Sequence, residues 1–328
     1  MTAPATLPLP GEALAPTRNV RDRIGDRLLA GLTAAAAGVS VLIIALIVWR
    51  VVDGAWPAIR LFHLGFLWHN AWNPVTSQFG ARDFVIGTIV TSFGAVLIAG
   101  PLSIAIGLFL SELAPRSVRG PIGTLVEMLA AVPSVVVGLW GIYVLAPFSA
   151  HHLQPFLSSF LGWIPIFAHG GDEVESTVFT AILVLTIMII PITASICRDL
   201  FLGVPTELEE GAIGLGATRW EMVRTVVVPS VRGGVVAAVI LGLGRALGEA
   251  IAVTQVIGNF IPLQPSIFEP GDTIASRLAN QYAGAVSNTQ VASLIYLALI
   301  LLVITFVTNL AAQRVVKRFE LQRTGGGS

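Results

Sequence analysis

Six long runs of apolar residues punctuate the chain, with neither the period-two alternation of a half-buried strand nor the polar stripe of a surface helix. They are Leu28 to Val52, Phe84 to Phe109, Ile122 to Leu145, Thr177 to Ile196, Val235 to Ile257 and Val291 to Leu310. Each has roughly the 20 residues that cross about 30 Å of hydrocarbon. The pattern predicts six membrane-spanning helices. Two shorter apolar stretches do not qualify. Ala55 to Trp72 holds Trp56, Phe62, Phe66, Trp68 and Trp72 but is interrupted by Pro57, Arg60, His63 and His69. Leu153 to Phe167 contains Pro155 and Pro165 and is too short to span. Tryptophan-rich segments gather at the headgroup level, so both are read as interfacial helices on the outer side.

Arginine placement orients the bundle. With the N-terminus inside, the inner side collects Arg18, Arg21, Arg23, Arg27, Arg116, Arg119, Arg198, Arg219, Arg224, Arg232, Arg314, Lys317, Arg318 and Arg323. The outer side keeps Arg50, Arg60, Arg82 and Arg277. This is the positive-inside bias, and counting Leu153–Phe167 as a seventh span would destroy it. Composition agrees: 328 residues, 55% hydrophobic and 12% charged, fall outside the range of soluble domains. Residues 1–27 are predicted to be a disordered cytoplasmic tail, 28–83 the first span with its outer interfacial segment, 84–310 a five-helix core and 311–328 a cytoplasmic C-terminal tail. No cleavable leader is expected. Cys197 is the single cysteine, so no intrachain disulfide is possible. The basic residues are explained by topology, and nucleic acid is not expected as a partner; membrane lipid is.

The chain is not expected to hydrolyse ATP through a phosphate-binding loop. Its only lysine, Lys317, has no glycine-rich loop before it, which excludes a phosphate-cradling G-x-x-x-x-G-K-[ST] loop. His63, His69, His151, His152 and His169 lie in outer segments without convergent ligand spacing, so they are read as surface histidines and no metal site is expected. No serine has a nucleophile-elbow context. The chain is therefore not expected to be an enzyme or to carry a cofactor.

Arg245 and Glu249 lie near the centre of the fifth apolar run, where a charge costs about 2.5–3.5 kcal/mol on insertion scales. Their i, i+4 spacing puts both on one helix face, where they can neutralise each other. Two readings stand side by side: a structural ion pair, or a pathway group in which the guanidinium fork binds an oxyanion and Glu249 holds it. Gly244 and Gly248 form a G-x-x-x-G pair that permits close helix approach. Glu127 is read as a packing or surface residue. Pro101, Pro133 and Pro191 are predicted kinks, with Ser134 and Thr193 as candidate partners for the freed carbonyls.

The loop 200–232, between the fourth and fifth runs, is the most informative segment. Glu207, Glu209 and Glu210 suit a helix N-terminus, with Thr206 as a plausible N-cap. A second amphipathic helix is predicted from Arg219 to Val228, ending at Pro229. Such a segment at a membrane surface suits a partner's groove. Glu210-Gly211-Ala212, followed by Gly216 and later Pro229, resembles the EAA loop of ABC-importer permeases, with Gly211 in place of the usual alanine. Gly80 to Thr88, Ala131 to Leu139, and Gly242 to Val253 with Gly258-Asn259 are similar to the corresponding segments of the C-type permeases of Pst phosphate importers. The resemblance runs from about Asp83 to the end of the sixth span. It departs at Asn280-Gln281-Tyr282, where the family tends to carry a glutamate after the asparagine.

The resemblance implies an all-α integral membrane protein with the six-helix, type I (MetI-like) importer architecture, in a bacterial inner membrane with both termini cytoplasmic. It implies phosphate as substrate, a second related (PstA-type) permease, two copies of an ATPase subunit carrying ATP and magnesium, and an external phosphate-binding protein. It tips Arg245 and Glu249 toward the substrate path and assigns Glu210, Gly211, Ala212 and Gly216 to ATPase coupling. A permease for molybdate or sulfate, or a self-contained secondary transporter or channel, are the alternatives.

Overall fold

A computed structural model describes residues 20–168 and 174–324, with side chains for 25–115, 117–168 and 174–316. The start of the N-terminal tail (1–19), His169 and the last four residues lie outside the described residues. Six helices are long and apolar enough to cross a membrane, and the protein is a multi-pass, all-α membrane protein. By contacts the chain divides into two units, Met1–Asp53 and Gly54–Ser328.

In the first unit, helix α1 (Val20–Phe62) is already formed at Val20, inside the predicted tail. Its apolar side chains from Leu28 to Trp49 are almost all exposed. A helix apolar on every face is stable only where lipid or another protein covers it.

The second unit begins with the end of α1, which runs through Pro57 into the segment read as interfacial. There the sequence expectation divides. Trp56 and Trp68 stay exposed, whereas Phe66 is fully buried and stacks on Tyr296 with ring centroids 4.6 Å apart. A hairpin of β1 (Trp72–Asn73) and β2 (Gln78–Phe79) pairs Trp72 with Phe79 and turns the aromatics onto α2 (Arg82–Leu108). Trp72 meets Phe84 edge-on at 5.2 Å.

The predicted third span, Ile122–Leu145, is broken. Pro133 lacks an N–H and disfavours helical backbone at Val132, so α3 (Arg116–Ala130) ends there. The third span is instead α4 (Ser134–Leu161), which absorbs much of the stretch 153–167 that was expected to lie at the interface. Two π turns, Gly141–Leu145 and Ser149–Leu153, sit inside α4, each ending two residues before a proline, Pro147 and Pro155. The spacing has a cause. The carbonyl four residues before a proline has no N–H to bond and meets the ring, and a shift to i→i+5 bonding gives it another donor.

The same device overturns the expected helix end at Pro229. A π turn at Val223–Val227 precedes it by two residues, and α7 runs unbroken from Arg219 to Gly248 as the fifth span. Before it come α5 (Val178–Leu202), which continues through Pro191, and α6 (Thr206–Gly214). After it come α8 (Ile251–Val256), α9 (Ile274–Gln281) and α10 (Asn288–Thr324), the last extending well beyond Leu310. Helix α2 likewise continues through Pro101.

Helix α5 is the centre of the unit: two-thirds of its most apolar window is buried, against a third or less in the other spans. Its Val184, Leu185 and Ile189 pack with Ala95 and Ala99 of α2 and with Ala252, Val253 and Val256 of α8. Gly242 makes the α5–α7 approach possible, since a Cβ there would lie 2.7 Å from Ile189 Cγ2 and 2.9 Å from Thr193 Oγ1. Of the expected packing pair, Gly248 faces open space, and a Cβ on Gly244 would meet only Asn309 Oδ1 of α10, at 3.8 Å. Thr193 Oγ1 is buried without a partner and does not serve Pro191's freed carbonyl.

Candidate functional site

The fifth span does not run through to Ile257. Glu249 has extended backbone (φ −74°, ψ 115°), so α7 stops at Gly248 and α8 restarts at Ile251. The two charges therefore do not share a helix face. Arg245 lies in the last turn of α7 and is exposed; Glu249 lies just past the helix end and is half-buried. Neither side chain forms an ion pair or hydrogen bond among the described residues. The structural ion pair, one of the two sequence readings, is thus absent, and an uncompensated guanidinium stands in an apolar span. A guanidinium in hydrocarbon is costly unless it faces a bundle interior, a polar partner or water. The last-turn position partly offsets that cost, because a helix C-terminus favours a cation.

The loop between α5 and α7 has a different character. Helix α6 buries none of its residues. Leu208 and Ile213 are each 50% exposed, and Leu215 at the following turn is 92% exposed. Glu210 and Gly211 are exposed on α6, and a Cβ at Gly211 or Gly214 would meet nothing within 4 Å. Ala212 turns back to pack against the Met222–Val227 cluster. Gly216 has φ +90°, a left-handed value glycine adopts without strain, and this ends α6 and redirects the chain. Thr206 is the first helical residue rather than the cap, so the expected cap is not formed. A capping box forms instead at Thr218, whose Oγ1 accepts from the Glu221 N–H while the Glu221 carboxylate accepts from the Thr218 N–H.

Beneath this loop a cavity of about 510 Å³ is lined by residues including Glu112, Arg119, Thr206, Glu209, Arg219 and Met222. Burial pushes the Glu209 carboxyl above its ordinary value, and Glu112 and Glu210 add to the shift. On the same side Glu127 of α3 pairs with Arg198 of α5 at 2.8 Å, which gives Glu127 the packing role expected of it.

One charged pair was not foreseen. Asp272 and Arg277, 1% and 6% exposed, form an ion pair at 2.6 Å in the segment before α10. Asp272 Oδ1 also accepts from the Thr273 N–H at 2.8 Å. The Arg277 guanidinium lies 4.8 Å from the Phe84 ring centroid. Burial moves both groups toward neutrality, Asp272 up and Arg277 down, and their mutual attraction opposes it. Gln281, where the resemblance departs, accepts from Trp72 Nε1 at 2.7 Å and so ties α9 to the hairpin. The sequence hint was a lone arginine among the small and apolar residues Ile274 to Leu278.

No group of three or more His, Cys, Asp or Glu that could hold a metal occurs among the described residues. His69 bonds the Gly65 carbonyl oxygen at 2.7 Å and His152 stacks on Phe148.

The sequence profile of the family described as "Binding-protein-dependent transport system inner membrane component" matches residues 103–321. The chain belongs to that family. Within it, the chain is 45% identical over 281 residues to the "Phosphate transport system permease protein PstC" of Pasteurella multocida, covering 85% of this chain and 88% of that one. It is 42% identical over 324 residues to the PstC protein of Mesorhizobium japonicum, covering 96% and 98%. Among solved structures, a subunit of a bacterial alginate ABC transporter matches with TM-score 0.56 at 19% identity, covering 92% of this chain and 99% of that one. A chain of the MetNI methionine ABC transporter matches with TM-score 0.53 at 18% identity, covering 72% and 94%. These two likenesses show the shared permease fold.

Proposed function

We propose that this binding-protein-dependent permease passes inorganic phosphate across the bacterial inner membrane, with Arg245 as the group that meets the anion. One observation carries the reading. In a chain 45% identical to a phosphate transport system permease, the part of the fifth span beyond Arg232 presents one exposed arginine, and it has no ion pair or hydrogen bond among the described residues. A rigid, always-charged fork is suited to phosphate oxygens. Glu249, displaced from the helix face by the break, lies four residues on and keeps the empty site from being strongly positive.

Transport energy enters from outside the chain. The exposed Leu208, Ile213 and Leu215, with Glu210, Gly211 and Gly216 between and beside them, form a surface that a membrane would not cover and a protein groove would. The partner we assign to it is an ATPase subunit carrying ATP and magnesium, present in two copies. A second, PstA-type permease completes the pore, and an external binding protein supplies phosphate. The loop and both termini then lie on the cytoplasmic side, as the arginine distribution indicates.

Phosphate uptake by Arg245→Gln and Glu249→Gln variants in assembled complexes tests the reading. Uptake should fall by at least about tenfold for Arg245→Gln, the loss of one charge-assisted contact. Normal uptake in both variants would refute the assignment.

A further inference from the structure

The last span carries polar residues where an apolar helix needs none. Thr305, Asn309 and Gln313 follow one another at i, i+4 and i+8, a single row on α10. Asn309 and Gln313 are exposed, and neither amide has a hydrogen bond among the described residues. Both line a groove of about 410 Å³ between α7 and α10, with Ala237, Ile240 and Leu241 opposite. On α7 the row Ala237–Leu241 continues at the same spacing to Arg245. The two rows meet: Asn309 Oδ1 would lie 3.8 Å from a Cβ on Gly244, the neighbour of Arg245.

Depth distinguishes this row from an ordinary interfacial helix end. Gly244 lies twelve residues beyond Arg232, about 18 Å along the helix at 1.5 Å per residue, so Asn309 beside it is well inside the hydrocarbon. Because consecutive spans run in opposite directions, Gln313 lies one turn nearer the coupling-loop side. Arg245 thus stands one turn beyond the groove's Leu241, on the side away from the coupling loop, and the amides lie on the way toward that loop. Unpaired amides against lipid tails are unfavourable and are normally turned to a partner group or to water.

We propose that Asn309 and Gln313 line a water-filled exit route, along which phosphate leaves Arg245 toward the side of the coupling loop. The proposal rests on the reading of Arg245 as the phosphate-binding group. An amide N–H is a neutral donor, strong enough to replace a water on the anion and too weak to hold it. A charged site followed by amides thus gives a descending series of affinities.

The test uses the complete transporter in inside-out vesicles, with Cys197→Ser as background. Asn309→Cys and Gln313→Cys should react with a small, anionic, membrane-impermeant thiosulfonate at least about tenfold faster than Val307→Cys, which is 56% exposed on another face of α10. Millimolar phosphate should slow both reactions. In parallel, Asn309→Leu and Gln313→Leu should lower the maximal uptake rate several-fold while KM for external phosphate changes less than about twofold, as expected for an exit step. Two outcomes overturn the proposal. One is reactivity at 309 and 313 no greater than at 307. The other is loss of the second permease on purification of the leucine variants, which would make the row a packing seam. Arg245→Gln in the same background separates the two claims. If it transports normally, the Arg245 reading has failed; if it is inactive while 309 and 313 are unreactive, only the exit route has.

Discussion

Replacing Arg277 by methionine is the most demanding test of the fold around the site. The substitution keeps most of the side chain's volume but leaves the Asp272 carboxylate, 1% exposed, without its cation. Removing one partner of a buried pair costs about 3–5 kcal/mol, because the remaining charge is stranded in a low-dielectric setting. Loss of the contact with Phe84, 4.8 Å from the guanidinium carbon, adds about 0.5–2 kcal/mol. Relief is available by protonation of Asp272, whose carboxyl burial already pushes upward, so the lower end of the combined range is expected. That corresponds to a drop of roughly 5–10 °C in the unfolding midpoint of the purified protein. Asp272→Asn combined with Arg277→Met should recover most of it: the asparagine oxygen still accepts from the Thr273 N–H and no charge remains. Tryptophan fluorescence during thermal unfolding reports the region directly, since Trp72 lies against Phe84 and bonds Gln281. A loss below about 1 kcal/mol for Arg277→Met alone, or a double variant no better than the single, would refute the reasoning.

Two further predictions follow from other contacts. Gly87→Ala should destabilise by about 1–3 kcal/mol or prevent folding, because the new Cβ would overlap the Asp272 backbone carbonyl, whereas Gly248→Ala, which meets nothing within 4 Å, should be tolerated as judged by the same melt. The folded-state value of Glu209 is raised, so its relative contribution to stability is fully present below the ordinary carboxylate range and is lost as pH rises through the raised value. Hydrogen exchange in 206–214, corrected for intrinsic rates, should therefore be faster at pH 8 than at pH 5, and Glu209→Gln should abolish the difference; an unchanged pH dependence in the variant would count against it.

The bilayer makes the six spans legible, since any run shorter than about 20 apolar residues cannot satisfy it. What the runs do not disclose is where a span is interrupted by its neighbours. Pro133 was visible, yet reading it as a kink left the third span 12 residues out of place at its start, Ile122 instead of Ser134. Pro229 looked like a stop because the compensating π turn before it has no residue signature of its own. The break at Glu249 carries no proline at all. It puts α8 against α4 and α5 and is chosen by packing, so the i, i+4 argument for Arg245 and Glu249 failed. Burial of Arg277 was invisible for a related reason: its counter-ion and its aromatic cover come from Asp272, Phe84 and Trp72, which only the tertiary structure brings together.

The π turn at Val223–Val227 sits near the loop end of an otherwise regular helix that reaches Gly248. From Val228 to Arg245 the helix extends about 26 Å at 1.5 Å per residue. If the turn acts as a hinge, that length is a lever arm: a 10° tilt at its base would carry the guanidinium sideways by about 4–5 Å. Such a swing exceeds the reach of a hydrogen bond, so the arginine could release its anion through motion alone, without a change in its charge.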